Sequence, residues 1–73
     1  MSIEEVTSFI KEMNAIQKMA HYLPLDLLET HIQEMTDEVK TIREMLLNDE
    51  EKKDSIGCIQ RIKESLENEI HKR

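Results

Sequence analysis

An all-α fold is predicted by three features of this 73-residue chain: apolar residues recur at alternating gaps of three and four, one Gly and one Pro interrupt it, and Phe9 and Tyr22 are its only aromatics. The spacing puts the apolar side chains on one face of a helix, whereas strands want β-branched and aromatic runs bounded by turn residues. Charged residues make up 36% of the chain, a helix-forming and aromatic-poor mixture.

The first helix is predicted from Ile3. Ser2 followed by Glu5 is a capping-box pattern, in which the hydroxyl accepts a bond from a free backbone N–H of the first turn. Ile3, Val6, Phe9, Ile10, Met13, Ile16, Met19 and Ala20 then line one face. Pro24 disfavours helical geometry at Leu23 and suits the start of a new helix, so a bend is predicted at Tyr22 to Pro24. A second helix is predicted from Pro24 to Leu47, about 36 Å long at 1.5 Å per residue. Asp26 and Glu29 fall in its first turns, where carboxylates favour the positive end of the helix dipole.

This second helix carries an uninterrupted heptad seam. Leu25, Ile32, Val39 and Leu46 occupy position a, and Leu28, Met35 and Ile42 occupy position d. The first helix, about 27 Å long by the same rise, is too short to cover it all, while a second copy of the long helix matches it. The pattern lapses in "NDEEKKDSIG", where Asn48 with Glu51 offers either a new cap or a charged continuation, and Gly57 costs about 1 kcal/mol relative to Ala inside a helix. A hinge is predicted there. Beyond it Ile56, Ile59, Ile62, Leu66 and Ile70 restore a narrow stripe, predicting a short amphipathic helix that needs a partner. The organisation expected is a dimerisation module at 1–47, a charged hinge at 48–57 and a C-terminal helix at 58–73.

A chain of this size buries only about 60% of its unfolded surface, and one core rarely supplies more than roughly 3–5 kcal/mol. Cys58 has no intramolecular partner for a disulfide, which leaves oligomerisation as the expected source of further stability. Met13, Met19, Met35 and Met45 sit largely at apolar helical positions, where filling a core is the common use.

Function classes narrow by the same reasoning. Catalysis needs convergent side chains in a concave pocket, and Cys58 between Ile56 and Ile59 reads as a small packing residue. His31, Glu34 and Glu38 share one helix face, but the second carboxylate–histidine pair of a bundle metal site is missing, so no metal or other cofactor is expected. The formal charge of −6 divides into −1 over residues 1–25, −6 over 26–54 and +1 over 55–73. Without a basic patch, direct nucleic-acid binding is not expected. The N-terminus has no signal-peptide core and no segment reaches the roughly 20 apolar residues of a membrane span, so a cytoplasmic location without membrane contact is expected.

The stretch "FIKEMNAIQKMAHYLPLDLLETHIQEMTDEVKTIRE", Phe9 to Glu44, resembles the N-terminal oligomerisation domain of the histone-like nucleoid-structuring (H-NS) family of enteric bacteria. The likeness lies in the apolar pattern, with few identities: Ile10, Met13, Ile16 and Ala20, the link at Leu23 and Pro24, then Leu25, Leu28, Ile32, Met35 and Val39. It covers about half the chain. The resemblance implies short helices wrapping a long one that pairs with a second chain, antiparallel, and a second self-association contact further on. On this reading Ile10, Met13, Ile16, Ala20, Leu25, Leu28, Ile32, Met35, Val39, Ile42 and Leu46 form the dimer interface, and Ile56, Ile59, Ile62, Leu66 and Ile70 the second contact.

Two departures shape what is carried over. The family's basic cluster, which contacts small Hha-type co-regulators, is replaced by Asn14, Gln17 and His21, so that contact is not carried over. The family's DNA-binding domain has no counterpart in these residues. The implied function is a truncated relative that modulates or antagonises a full-length silencer through mixed oligomers, its partners being itself and that homologue; an excised fragment of a longer silencer would read the same. The alternative is a free-standing acidic adaptor or inhibitor that binds a basic protein, drawing on the ten acids between Asp26 and Asp54.

Overall fold

The computed structural model describes residues 2 to 73; Met1 lies outside the description. Three α-helices, α1 (Ile3–Lys18), α2 (Leu25–Glu44) and α3 (Asp49–His71), are joined by a single 3₁₀ turn at Ala20–Tyr22 and a short connection at Met45–Asn48. No strand occurs among the described residues. The all-α class is therefore correct.

Local chemistry accounts for the helix starts. Ser2 is extended and its hydroxyl accepts a bond from the Glu5 N–H at 3.4 Å, with Glu4 and Glu5 in the first turn facing the positive end of the dipole. Leu23 and Pro24 are both extended, and α2 begins at Leu25, one residue after the position predicted for it. Pro24 thus flanks the helix as its N-cap while its carbonyl accepts the Leu28 N–H at 3.2 Å.

The predicted hinge at 48–57 is corrected. The break falls at Met45–Asn48, where α2 stops after Glu44, and Asp49 to Gly57 is helical. Asn48 is the cause: its side-chain oxygen accepts the Glu51 N–H at 2.8 Å, and Asp49, Glu50 and Glu51 all sit in the first turn. Gly57 has an ordinary helical sign of φ and empty space where a Cβ would stand, so it is carried by the helix around it. The C-terminal segment expected to be short is consequently the longest helix, at 23 residues.

α3 is the central element. It runs antiparallel to α2 and packs along both α2 and α1, whereas α1 and α2 approach each other only slightly. Val6 and Met13 from α1, Ala20 from the turn, Leu28, Met35, Val39 and Ile42 from α2, and Ile59, Ile62 and Leu66 from α3 form one buried core. Phe9, Ile10, Ile16, Ile32, Ile56 and Ile70 pack around it half-buried. Polar contacts hold α3 at both ends. Lys52 Nζ donates to the Arg43 carbonyl at 2.9 Å, covering a free C-terminal carbonyl of α2. At the other end Arg73 Nη2 donates to the Ala20 carbonyl at 3.1 Å, and Glu69 lies 3.8 Å from His21.

Candidate functional site

The residues read from sequence as two separate contacts meet within one chain. Leu28, Met35, Val39 and Ile42 of the seam are buried against the α3 stripe of Ile59, Ile62 and Leu66. Ser55 is buried as well and extends that stripe by one turn, a position the apolar pattern missed because serine is not apolar. The seam is longer than its cover. Leu25 at the start of the seam is 44% exposed, and Leu46, expected as its last position a, instead lies fully exposed in the connection because α2 stops after Glu44.

Near the bend between α1 and α2, Met19, Tyr22, Leu25 and Leu27 are all exposed, with Tyr22 at 81%. Leu27 stands off the heptad seam and escaped the sequence reading for that reason. Ala20, by contrast, is buried.

A second feature is polar. Because α1 and α2 each lie on α3 and hardly on one another, an open groove of about 600 Å³ runs between them, lined by Ser2, Glu4, Glu5, Ser8, Phe9, Glu12 and Glu38. Glu38 is only 8% exposed, and its Oε2 has no hydrogen-bond partner, the one such buried side-chain atom among the described residues. Burial first, and the neighbouring Glu5 charge second, raise the Glu38 carboxyl above the ordinary carboxylate range. The ion pairs among the described residues join His21 and Arg73 to Glu69 and His31 to Glu34, so none neutralises the groove. In the heptad Glu38 is a g position beside Val39, where a charge normally flanks a seam in solvent. Here it is buried at the groove that α1 lines.

The remaining candidates stay apart. His31 Nδ1 lies 2.9 Å from Glu34 Oε1, while Glu38 turns to the α1 side, and no cluster of three His, Cys, Asp or Glu with metal-holding geometry occurs among the described residues. Cys58 is half-buried, with Arg61 Nη2 3.7 Å from its sulfur. No helix among the described residues is long and apolar enough to cross a membrane.

The fold and these surfaces define a small all-helical protein with a largely covered seam, exposed apolar side chains near the bend between α1 and α2, and an acidic groove. Comparison with protein-family models, with curated proteins and with solved structures gave no match.

Proposed function

We propose that this chain is a non-catalytic helical assembly module that modulates or antagonises a full-length DNA-binding silencer of the nucleoid-structuring type by forming mixed oligomers. The observation that supports this reading is incomplete cover of the apolar row: Leu25, at the start of α2, is 44% exposed, and Leu46, the next heptad position in sequence, lies fully exposed in the connection after α2. A helix of a homologue that took the place of α3 would cover Leu25, and would cover Leu46 as well once released α2 extends through the connection. The exchange replaces one set of leucine, isoleucine and methionine contacts by another of the same kind, so its intrinsic free-energy change is small, as in domain swapping.

What opposes the exchange is connectivity. The short connection at Met45–Asn48 keeps α3 at an effective concentration of order millimolar beside its seam. A filament offering many copies of a competing helix is the setting in which exchange wins. This reading carries a cytoplasmic, nucleoid-associated location reached through the partner.

The test is light scattering on size-exclusion fractions, with the chain alone and mixed with a full-length nucleoid-structuring silencer. Mixed species or shortened assemblies are expected. The double variant Leu25→Asp/Leu46→Asp changes exposed positions, so it should keep its helical circular dichroism while losing the ability to join the homologue. Unaltered homologue assemblies in the presence of the parent chain would overturn the reading.

A second reading, the free-standing acidic adaptor for a basic protein, is favoured by a separate observation, the groove between α1 and α2 with its unpaired carboxylates.

A further inference from the structure

We propose that the groove between α1 and α2 is a seat for an arginine side chain presented by a protein partner, with Glu38 at its floor, Glu5 and Glu12 at its rim and the Phe9 ring as its apolar wall. The inference rests on the acidic-adaptor reading and names the group that adaptor would grip.

The first ground is Glu38 itself. A polar atom buried without a partner is rare in folded proteins, because its lost hydration is not replaced, and a carboxylate is costlier than a neutral group. Glu38 Oε2 is such an atom, in a side chain more than nine-tenths buried that lines an open groove. The terminal torsion of a glutamate is broad, so either oxygen of the carboxylate turns toward an arriving donor at little cost.

Complementarity selects the ligand. The groove carries four carboxylates, two serine hydroxyls and one aromatic ring, and none of those carboxylates is in an ion pair with a described residue. Guanidinium presents five donors in a planar fork and stacks on aromatic faces, so one group can bond two carboxylates and lie against Phe9. Lysine supplies a point charge without the fork. A metal ion fits less well, since the carboxylates do not converge with metal-holding geometry. The groove is also open along its length, which lets a side chain enter from a partner's surface while the partner's backbone stays outside.

The experiment is titration calorimetry with a short arginine-rich peptide and with the same peptide carrying citrulline, which keeps the shape and removes the charge. The parent chain should bind the arginine peptide and ignore the citrulline one. Glu38→Gln and Glu5→Gln should each weaken binding about tenfold or more, the scale of one charge-assisted hydrogen bond. Glu29→Gln, an exposed acid away from the groove with the same change in net charge, should leave binding nearly unaltered. Circular dichroism confirms that each variant is folded, and Glu38→Gln should be at least as stable as the parent because it removes a buried charge. Arginine-peptide binding that all three substitutions weaken alike would overturn the seat while leaving the acidic-adaptor reading standing. No binding even at low ionic strength would overturn both.

Discussion

Glu38 and Gly57 are two residues at which this fold keeps less stability than its backbone allows. The folded pKa of Glu38 is raised above its ordinary value of 4.5, so the native state holds its proton more tightly than the unfolded chain does. The resulting contribution is fully present below the unfolded pKa and is lost as pH rises through the folded one. Glu38→Gln should therefore be more stable than the parent at neutral pH, because the amide has no charge to desolvate, and the gap should close toward pH 4 as the parent carboxyl takes up its proton. Urea unfolding of both proteins at the two pH values checks this; a gap independent of pH would assign the effect to packing. At Gly57 an added Cβ meets nothing within 4 Å and φ is not positive, so Gly57→Ala should stabilise by about 0.5–1 kcal/mol through helix propensity alone. Its thermal midpoint should rise by several degrees in a chain of this size, on the scale of roughly 4–8 °C per kcal/mol.

At the level of elements, α3 decides the architecture. Leu66 and Ile59 are fully buried between the other two helices, so truncating either to Ala should cost about 2–5 kcal/mol, comparable to the whole stability of a small single core. Loss of the cooperative thermal transition in Leu66→Ala is the expected result, and a variant that still melted cooperatively near the parent temperature would mean that α3 is not central. Asn48→Ala should cost about 1 kcal/mol, because it removes the acceptor for the Glu51 N–H. The cap at Ser2 and the bend at Pro24 are legible in the sequence, since each depends on residues within three or four positions, whereas Asn48 with Glu51 reads equally as a cap or as a charged continuation, and the structure shows the cap. The hinge was misplaced for a related reason. A lapse in apolar pattern was read as a lapse in helix, yet Asp49 to Asp54 only form a polar turn-and-a-half whose N-terminus is well capped and whose far end is anchored by Ser55 and Ile59.

For the whole molecule, the cover of the apolar seam decides which apolar side chains stay exposed. The apolar row Leu25 to Leu46 was legible as a seam, but a heptad pattern specifies only that something helical covers it. In the single chain α3 provides most of that cover, and Leu25, Leu46, Met19, Tyr22 and Leu27 remain exposed. If these residues bind a second helix, folding and association are linked, and the thermal midpoint should rise with protein concentration. A midpoint unchanged across a hundredfold range of concentration, about two decades of mass action, would place the parent chain as a monomer and move the assembly reading wholly onto the mixed species.

Helicity, the Ser2 cap, the bend and most of the apolar faces can be read from the sequence, because each rests on local backbone chemistry or on periodicity along one helix; Ser55, buried without being apolar, and Met19, apolar but exposed, are the exceptions. The pairing of those faces could not. It depends on a connection at Met45–Asn48 short enough to bring α3 back along α2, and on α1 and α2 both lying on α3. That arrangement opens the groove and buries Glu38, a carboxylate that the heptad alone would leave in water. Burial is a property of what surrounds a residue in space, and no spacing within α2 records how the other helices pack around it.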